Sequence, residues 1–417
     1  MADIVKIKTF YRKLIEKKSL FSYAGITLLI IFLLFWVNYY FTQHTYGGED
    51  FLINWQATRS LVFKGINPYS SEALQQYSKT VADNNILPFE RKLHFSNPLF
   101  SLILYLPFSL FSNYTFARAA WLVYQEISAI LTGILIIKIF KWDLPLKQIV
   151  VLCSFSLIFF FTILNLVSST VLITMNLVLI AVIFLLIRER YEIAGILFSI
   201  LTIQFRVFLF PILALLIYVI WKKAWSFFIW FVISLFFMIA ISLLFIPEWP
   251  LQFIKELLKY SQYANLQFPG EALRSWLPSI NRNIGNLIFM IVLLWTVVEF
   301  TLTNSTTANI YWTFSLSLTL NQIAWFRSDL NGLVVLLFPI FFIFHQWYIK
   351  DIQIGVSIII SSIIIFSIGI LIYSIMSGAI TLQEPYPFSI YLICPMFLLL
   401  NLYWMRWWII NGQIIEI

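Results

Sequence analysis

The sequence predicts an all-α integral membrane protein organised as one domain over residues 1–417. Hydrophobic residues make up 61% of the chain and charged residues 11%, and the mean hydropathy is +0.89, a composition that soluble domains do not have. Apolar runs recur along the whole chain. At about 20 residues per crossing they suffice for about 12 transmembrane helices. The loops between the runs are too short to form separate soluble domains.

The first apolar run follows a basic tail and predicts an uncleaved first span. Lysine and arginine residues cluster before residue 20, and the run from about 20 to 41 is too long for the core of a signal peptide. The positive-inside rule then predicts a cytoplasmic N-terminus. Further runs lie near residues 97 to 112, 117 to 138, 148 to 166, 171 to 187, 193 to 220, 224 to 246, 284 to 303, 308 to 325, 331 to 347, 354 to 377 and 388 to 405.

The run from 97 to 112 is predicted to be a re-entrant or interfacial segment. It holds about 15 residues and two prolines, Pro98 and Pro107, which is short for a crossing. The distribution of lysine and arginine residues among the loops supports a segment that does not cross, provided that the run 193–220 is two helices bent between Arg206 and Pro211. The basic loops and both termini then face the cytoplasm. Two long segments lie outside: the first outer segment, residues 42–116, and the second outer segment, residues 247–282.

The first outer segment is predicted to carry the functional site. Asp50 lies about nine residues past the first span, at the start of a stretch that predicts an interfacial helix. A carboxylate held at the membrane surface can act as a general base toward a hydroxyl group. The alternative is a solvated loop carboxylate without a catalytic role. Glu49 is the second choice, because neighbouring side chains rarely point in the same direction.

The stretch EDFLINWQATRSLVFKGINPYS, residues 49–70, resembles the first outer loop of the GT-C glycosyltransferases that use polyprenyl-phosphate sugars, above all glycosyltransferase family 87. The matching positions are Asp50, Trp55, Ala57, Gly65, Pro68 and Tyr69. The stretch HFSNPLFSLILYLPFSLF, residues 94–111, is similar to the proline- and leucine-rich juxtamembrane element of that family, with Asn97 in place of one proline.

The resemblance implies a GT-C fold and an inverting transfer of a hexose, with mannose the first candidate. The donor would be a polyprenyl phosphate and the acceptor a lipid or glycan at the outer leaflet of the cell envelope. Asp50 would take the proton from the acceptor hydroxyl. No general acid is strictly needed, because the lipid phosphate leaves as an anion that needs cations or helix N-termini around it. No metal or other cofactor is expected, because the two outer histidines, His44 and His94, with a distant aspartate would make a poor metal site. Nucleic acid is excluded as a partner, since the basic residues serve to orient the protein in the membrane.

Two arginines are the candidates for binding the donor phosphate. Arg206 and Arg327 each fall at an outer helix break or helix end, where charge at membrane depth indicates function. An interfacial ion pair with Asp329 is the alternative for Arg327. The remaining candidates for the substrate cleft are Trp55, Tyr69, His94, Asn97 and Glu126. A structural ion pair with one of the two arginines is the alternative for Glu126.

Two other function classes compete with an enzyme. A transporter or lipid flippase would have discontinuous helices paired between two halves and charges near the midplane, whereas the polar residues here concentrate on one face. A noncatalytic membrane scaffold stays open because the family resemblance weakens after residue 107. The cysteines, Cys153 and Cys394, lie inside apolar runs and support neither a disulfide framework nor a zinc site.

Overall fold

The fold is known from a computed structural model that describes residues 25–45, 47–83, 94–205, 207–263, 279, 281–302, 307–324, 330–372 and 388–410. All regular elements in these ranges are helical. Helices satisfy their backbone groups internally, which a chain surrounded by hydrocarbon requires. The predicted all-α membrane fold is therefore confirmed.

The α-helices of the described residues are numbered along the chain. They are α1 (Gly25–His44), α2 (Glu49–Lys64), α3 (Ser71–Asp83), α4 (Leu106–Ser109), α5 (Tyr114–Ile139), α6 (Leu146–Ile158), α7 (Phe160–Ser168), α8 (Leu172–Ile187), α9 (Tyr191–Leu201), α10 (Leu209–Trp221), α11 (Trp225–Phe245), α12 (Trp249–Tyr263), α13 (Arg282–Leu302), α14 (Thr307–Ala324), α15 (Leu337–Lys350), α16 (Ile352–Ile363) and α17 (Phe388–Ile410). Tighter 3-10 helices span Leu99–Leu104, Thr202–Gln204 and Leu330–Leu336, and a π-helical stretch, Ile364–Gly369, continues α16.

Among the described residues, 5 helices are long and apolar enough to cross a membrane. They are α1, α5, α11, the helix Leu330–Lys350 and the helix Ile352–Ile372. A sixth crossing is possible if α6 and α7, which meet at a bend of 50°, form one broken span. Helices α8, α9 and α10 are apolar but shorter. The full count of about 12 spans stays a prediction.

The helix Leu330–Lys350 forms the centre of the bundle. In its most apolar window 83% of the residues are buried, against 11% for α1 and for α11. Exposed apolar side chains on those two helices suit acyl chains, because lipid tails solvate them as well as protein does. Helices α1 and α11 therefore lie at the periphery of the bundle.

A close approach of α9 and α11 depends on Gly195. A methyl group there would meet the backbone carbonyl oxygen of Phe227 and would lie 3.0 Å from the backbone nitrogen of Phe231. Ser199 and Ser234 hydrogen bond between the same two helices, with 2.9 Å between their hydroxyl oxygens. Small residues at a helix interface allow such contact of backbones inside a membrane.

The re-entrant segment, residues 97–112, does not form a spanning helix. Its 3-10 helix has 6 residues and α4 has 4, a combined length of about 18 Å against about 30 Å of hydrocarbon. Trp55 Nε1 donates a hydrogen bond to the carbonyl oxygen of Phe108 (3.1 Å). Arg59 Nη1 donates to those of Ser109 (2.6 Å) and Phe111 (2.9 Å). Helix α2 thus supplies side-chain donors to backbone carbonyls at the end of α4 and just after it.

The run 193–220 divides into two helices, which confirms the predicted bend. Helix α9 and its 3-10 continuation end at Gln204, and α10 begins at Leu209. The backbone nitrogen of Phe210 donates to Asn321 Oδ1 (3.1 Å), and Asn321 Nδ2 donates to the carbonyl oxygen of Val207 (2.8 Å). A side chain of α14 therefore satisfies backbone groups that the break releases.

An ion pair between a buried carboxylate and a half-buried guanidinium fixes the C-terminal helix α17 to α13. Arg406 Nη1 and Nη2 lie 2.8 and 2.9 Å from the two carboxylate oxygens of Glu299. Glu299 is 3% exposed, and the guanidinium also lies over the ring of Trp312, 5.2 Å from its centroid. Such a two-bond arrangement fixes both distance and orientation.

Candidate functional site

The first turn of α2 carries both predicted carboxylates. Gly48 caps this helix in the left-handed conformation, with φ 85° and ψ 18°, and Glu49 and Asp50 follow it. The partial positive charge of a helix N-terminus stabilises carboxylates at these positions. Asp50 is exposed and Glu49 half-buried, whereas Phe51 and Leu52 are fully buried. The helix thus presents Asp50 at the surface while the residues after it are anchored in the core.

Tyr105 of the re-entrant segment lies within electrostatic range of Asp50. Its ring is stacked on that of Trp121, with 5.0 Å between centroids. Burial raises the pKa of Tyr105 above its ordinary value, and the negative charge of Asp50 and the nearby Tyr124 raise it further. Burial and the nearby negative charge both disfavour the ionised form of this phenol.

A chain of three amide side chains, Asn54, Asn97 and Gln204, connects α2 to the break before α10. Asn54 Nδ2 donates to the backbone carbonyl oxygen of Asp50 (2.6 Å). Asn97 Nδ2 donates to Asn54 Oδ1 (3.0 Å). Gln204 Nε2 lies 3.5 Å from Asn97 Oδ1, a long hydrogen bond. The amide chain therefore joins the turn that carries Asp50 to the segment that leads to Arg206, which itself lies outside the described residues.

Tyr69 is tied to the same amide chain. Its hydroxyl donates to the carbonyl oxygen of Asn97 (2.7 Å), and its ring packs edge-on against Phe95 at 5.2 Å. Burial raises the pKa of the Tyr69 phenol, and the nearby Tyr77 and Glu256 raise it further. Tyr69 and Asn97, both predicted from the sequence, are therefore linked through Asn54 to the backbone of Asp50.

His94 lies where the two outer segments meet. Its Nδ1 is 3.5 Å from a carboxylate oxygen of Glu256 on α12, and the other oxygen is 3.0 Å from Lys259 Nζ. Asn67 Nδ2 donates to Gln252 Oε1 of the same helix (2.8 Å). Helix α12 is thus held against the first outer segment by polar contacts at two successive turns.

The other predicted cleft residues have different surroundings. Trp55 is 3% exposed, and its ring packs edge-on against Tyr114 at 5.6 Å. Glu126 accepts from Asn38 Nδ2 of α1 at 3.0 and 3.1 Å, so its contact runs to a neighbouring span and not to the amide chain. Arg327 lies outside the described residues, as Arg206 does.

Arg118 is not among the residues that the sequence singles out, yet it lies at the base of α2. It is 2% exposed in the first turns of α5. Its guanidinium donates to Ser169 Oγ (3.1 Å) and to the carbonyl oxygens of Thr45 (3.2 Å) and Val167 (3.0 Å). An arginine inside an apolar run is a signal in the sequence that could have identified it.

In the part of the chain that the structure describes, no group of three or more His, Cys, Asp or Glu side chains is arranged to hold a metal ion. The polar groups near Asp50 are amides, phenols and a buried guanidinium. The amides and phenols can position a hydroxyl group, whereas the guanidinium of Arg118 is occupied by protein acceptors. Glu49 and Asp50, in the first turn of α2, are carboxylates, which can accept a proton.

A family model described as glycosyltransferase family 87 matches residues 95–347, more than half of the chain. The matched region begins at the re-entrant segment and includes the break between α9 and α10. The stretch from 49 to 70, with Asp50, precedes it. No curated protein and no solved structure matches the chain.

Proposed function

As the chain belongs to glycosyltransferase family 87, we propose that it moves a hexose from a polyprenyl phosphate to an acceptor at the outer leaflet. That it is a membrane glycosyltransferase, with a sugar donor and an acceptor, follows from the family and from its apolar helices. Mannose is the first candidate for the sugar, and a lipid or glycan of the cell envelope is the acceptor.

Asp50 is the general base of this reaction. The observation that supports this role is the exposure of Asp50 on a helix whose next two residues are fully buried, which gives a carboxylate both access and a fixed position. It takes the proton of the acceptor hydroxyl while that oxygen attacks the anomeric carbon. The bond from that carbon to the phosphate oxygen breaks, and the lipid phosphate leaves as an anion. Attack opposite the leaving group inverts the configuration.

Arg206 and Arg327 stabilise the negative charge on the departing phosphate. Arg206 follows Gln204 by two residues, which limits their separation to about 7 Å. Gln204 itself contacts Asn97, which in turn contacts Asn54 of α2. A guanidinium matches the geometry of a phosphate better than any other side chain.

The orientation in the membrane belongs to the same proposal: both termini are cytoplasmic and Asp50 faces outward. Ser112 and Lys141 bracket α5 and are both exposed. In a cysteine-free background, a cysteine at Ser112 should react with an impermeant maleimide added outside intact cells. A cysteine at Lys141 should react only after permeabilisation. The reverse pattern would overturn this orientation.

Transfer of radiolabel from polyprenyl-phosphate mannose or glucose, in membranes that contain the chain, tests the function. The native chain should transfer label, and Asp50→Asn should be slower by about 10²-fold or more. Asp143→Asn, which removes an exposed carboxylate elsewhere, is the matched control and should retain the native rate. Equal rates for Asp50→Asn and the native chain would remove Asp50 from the mechanism. Donor binding without turnover by the native chain would identify a scaffold.

A further inference from the structure

The guanidinium of Arg118 joins three elements at the base of α2. Its acceptors are the carbonyl of Thr45, just after α1, and the carbonyl of Val167 and hydroxyl of Ser169, at the end of α7. Arg118 itself belongs to α5. Helix α5 makes a second contact with the end of α7, because Trp121 Nε1 donates to the carbonyl oxygen of Ser169 (3.0 Å).

The chemistry of this contact requires an arginine. The three acceptors lie in different directions, and a planar guanidinium can donate to all of them at once, whereas an ammonium on a flexible chain cannot hold the same fixed geometry. Its described acceptors are carbonyls and a hydroxyl, without a carboxylate. Burying a charge in this way is costly. A merely space-filling position would be served by an apolar residue.

The turn that precedes Asp50 is packed directly on this guanidinium. Gly47 and Gly48 have φ angles of 112° and 85°, which side chains disfavour. A Cβ on Gly48 would lie 2.5 Å from Arg118 Nε and 2.7 Å from the hydroxyl oxygen of Tyr114. The Tyr114 hydroxyl donates to the carbonyl oxygen of Gly48 (3.0 Å). A side chain at Gly48 would therefore clash with Arg118 and Tyr114, and Asp50 follows Gly48 by two residues.

We infer that Arg118 is a positioning residue, which acts through its contacts with Thr45, Gly47 and Gly48 to hold the start of α2, and with it Asp50, in place over α5 and α7. This inference rests on the proposed role of Asp50 as the base. Arg118 does not touch the substrate, since it is buried beneath the turn. Its effect is on where the carboxylate is held.

The consequence is a loss of turnover without a loss of donor binding. A displacement of about 1 Å in a reacting group can cost on the order of 10²-fold in rate. Arg118→Lys keeps the charge but not the three-way contact, so kcat should fall about 10- to 100-fold per folded molecule while KM for the donor stays unchanged. Arg190→Gln, which removes an exposed arginine, is the control and should leave both constants as in the native chain.

The decisive measurement combines Arg118→Lys with Asp50→Asn in one chain. If Arg118 acts through the carboxylate, Asp50→Asn should cost far less in the Arg118→Lys chain than in the native one, because the base is already out of place. Folded protein is quantified by gel filtration and thermal melting, so that rates refer to folded molecules. Gly48→Ala is the second variant, which displaces the turn from the other side and should give the same fall in kcat.

Three outcomes would overturn the inference. Native kcat per folded molecule in both Arg118→Lys and Gly48→Ala would reduce the guanidinium to a structural contact. A raised donor KM with native kcat in Arg118→Lys would make it part of the donor site. Additive effects of Arg118→Lys and Asp50→Asn would separate the two residues. The proposed function fails separately, when Asp50→Asn alone retains the native rate.

Discussion

Replacing Asn97 by alanine is expected to slow sugar transfer while leaving the protein folded. Asn97 is the middle member of the amide chain, and its Nδ2 is 3.0 Å from Asn54 Oδ1. Alanine removes this donor and leaves the Asn54 oxygen, on a residue 5% exposed, without it. Asn54 also donates to the carbonyl oxygen of Asp50 (2.6 Å). A rearranged Asn54 therefore loosens the turn that carries the proposed base.

The size of the effect follows from these contacts. A buried acceptor left without its donor costs about 1–3 kcal/mol. The contact from Gln204, at 3.5 Å, adds little. The bond from the Tyr69 hydroxyl to the backbone of Asn97 remains. If the whole loss is felt in positioning Asp50, transfer slows about fivefold to 150-fold.

The assay is a double-mutant cycle of Asn97→Ala and Asn54→Ala, read in transfer rate and in thermal melting. Two residues in direct contact should couple, with an interaction energy of about 0.5–3 kcal/mol in the rate. Gln75→Ala, which removes an exposed amide on α3, is the control for surface effects. A native rate in Asn97→Ala, or strictly additive losses in the cycle, would refute a role of the amide chain in positioning the base.

Three further predictions concern the packing around the site. Glu299→Gln should destabilise the chain by about 1–3 kcal/mol, measured by thermal melting, and this range is kept low because the Arg406 side chain is 32% exposed to solvent. Glu192→Gln, at the surface, is the control and should leave the melting temperature unchanged. A native melting temperature in Glu299→Gln would contradict the structural role of the ion pair. Glu256→Gln should speed hydrogen exchange in α12 by weakening its contact with the first outer segment, whereas exchange as slow as in the native chain would show that α12 is held otherwise. Gly195→Ala should destabilise the chain by about 1–3 kcal/mol, measured by melting, because α9 and α11 must separate; unchanged melting would contradict that close contact.

The fold could be predicted from the sequence wherever a local pattern decides it. Pro98 and Pro107 inside a short apolar run predict a segment that does not cross, and the structure confirms this with the 3-10 helix Leu99–Leu104 and the four-residue α4. The break between Gln204 and Leu209 was likewise predictable, because a charged residue and a proline interrupt an otherwise uniform run. The number of spans follows less directly, since several apolar helices are shorter than a bilayer.

The interior of the candidate site could not be predicted in the same way. Asn97 contacts Asn54 across 43 positions and Gln204 across 107, and neither pairing follows from a period or a motif. The role inferred for Arg118 depends on its acceptors at the end of α7 and just after α1, which the sequence alone does not identify. Trp55 could be singled out from the sequence, but its role could not, because an aromatic residue of the core and one that stacks on a sugar look the same in a sequence. Its role in substrate binding stays a prediction.

The most direct test of the central claim is the single-turnover rate of Asp50→Asn with donor already bound. Donor affinity is measured separately, by retention of radiolabelled polyprenyl-phosphate sugar on the purified chain in nanodiscs. The variant should bind donor as the native chain does, and its chemical step should be slower by about 10²- to 10⁴-fold, the contribution of a general base. A chemical step as fast as that of the native chain would contradict the assignment of Asp50 as the group that activates the acceptor.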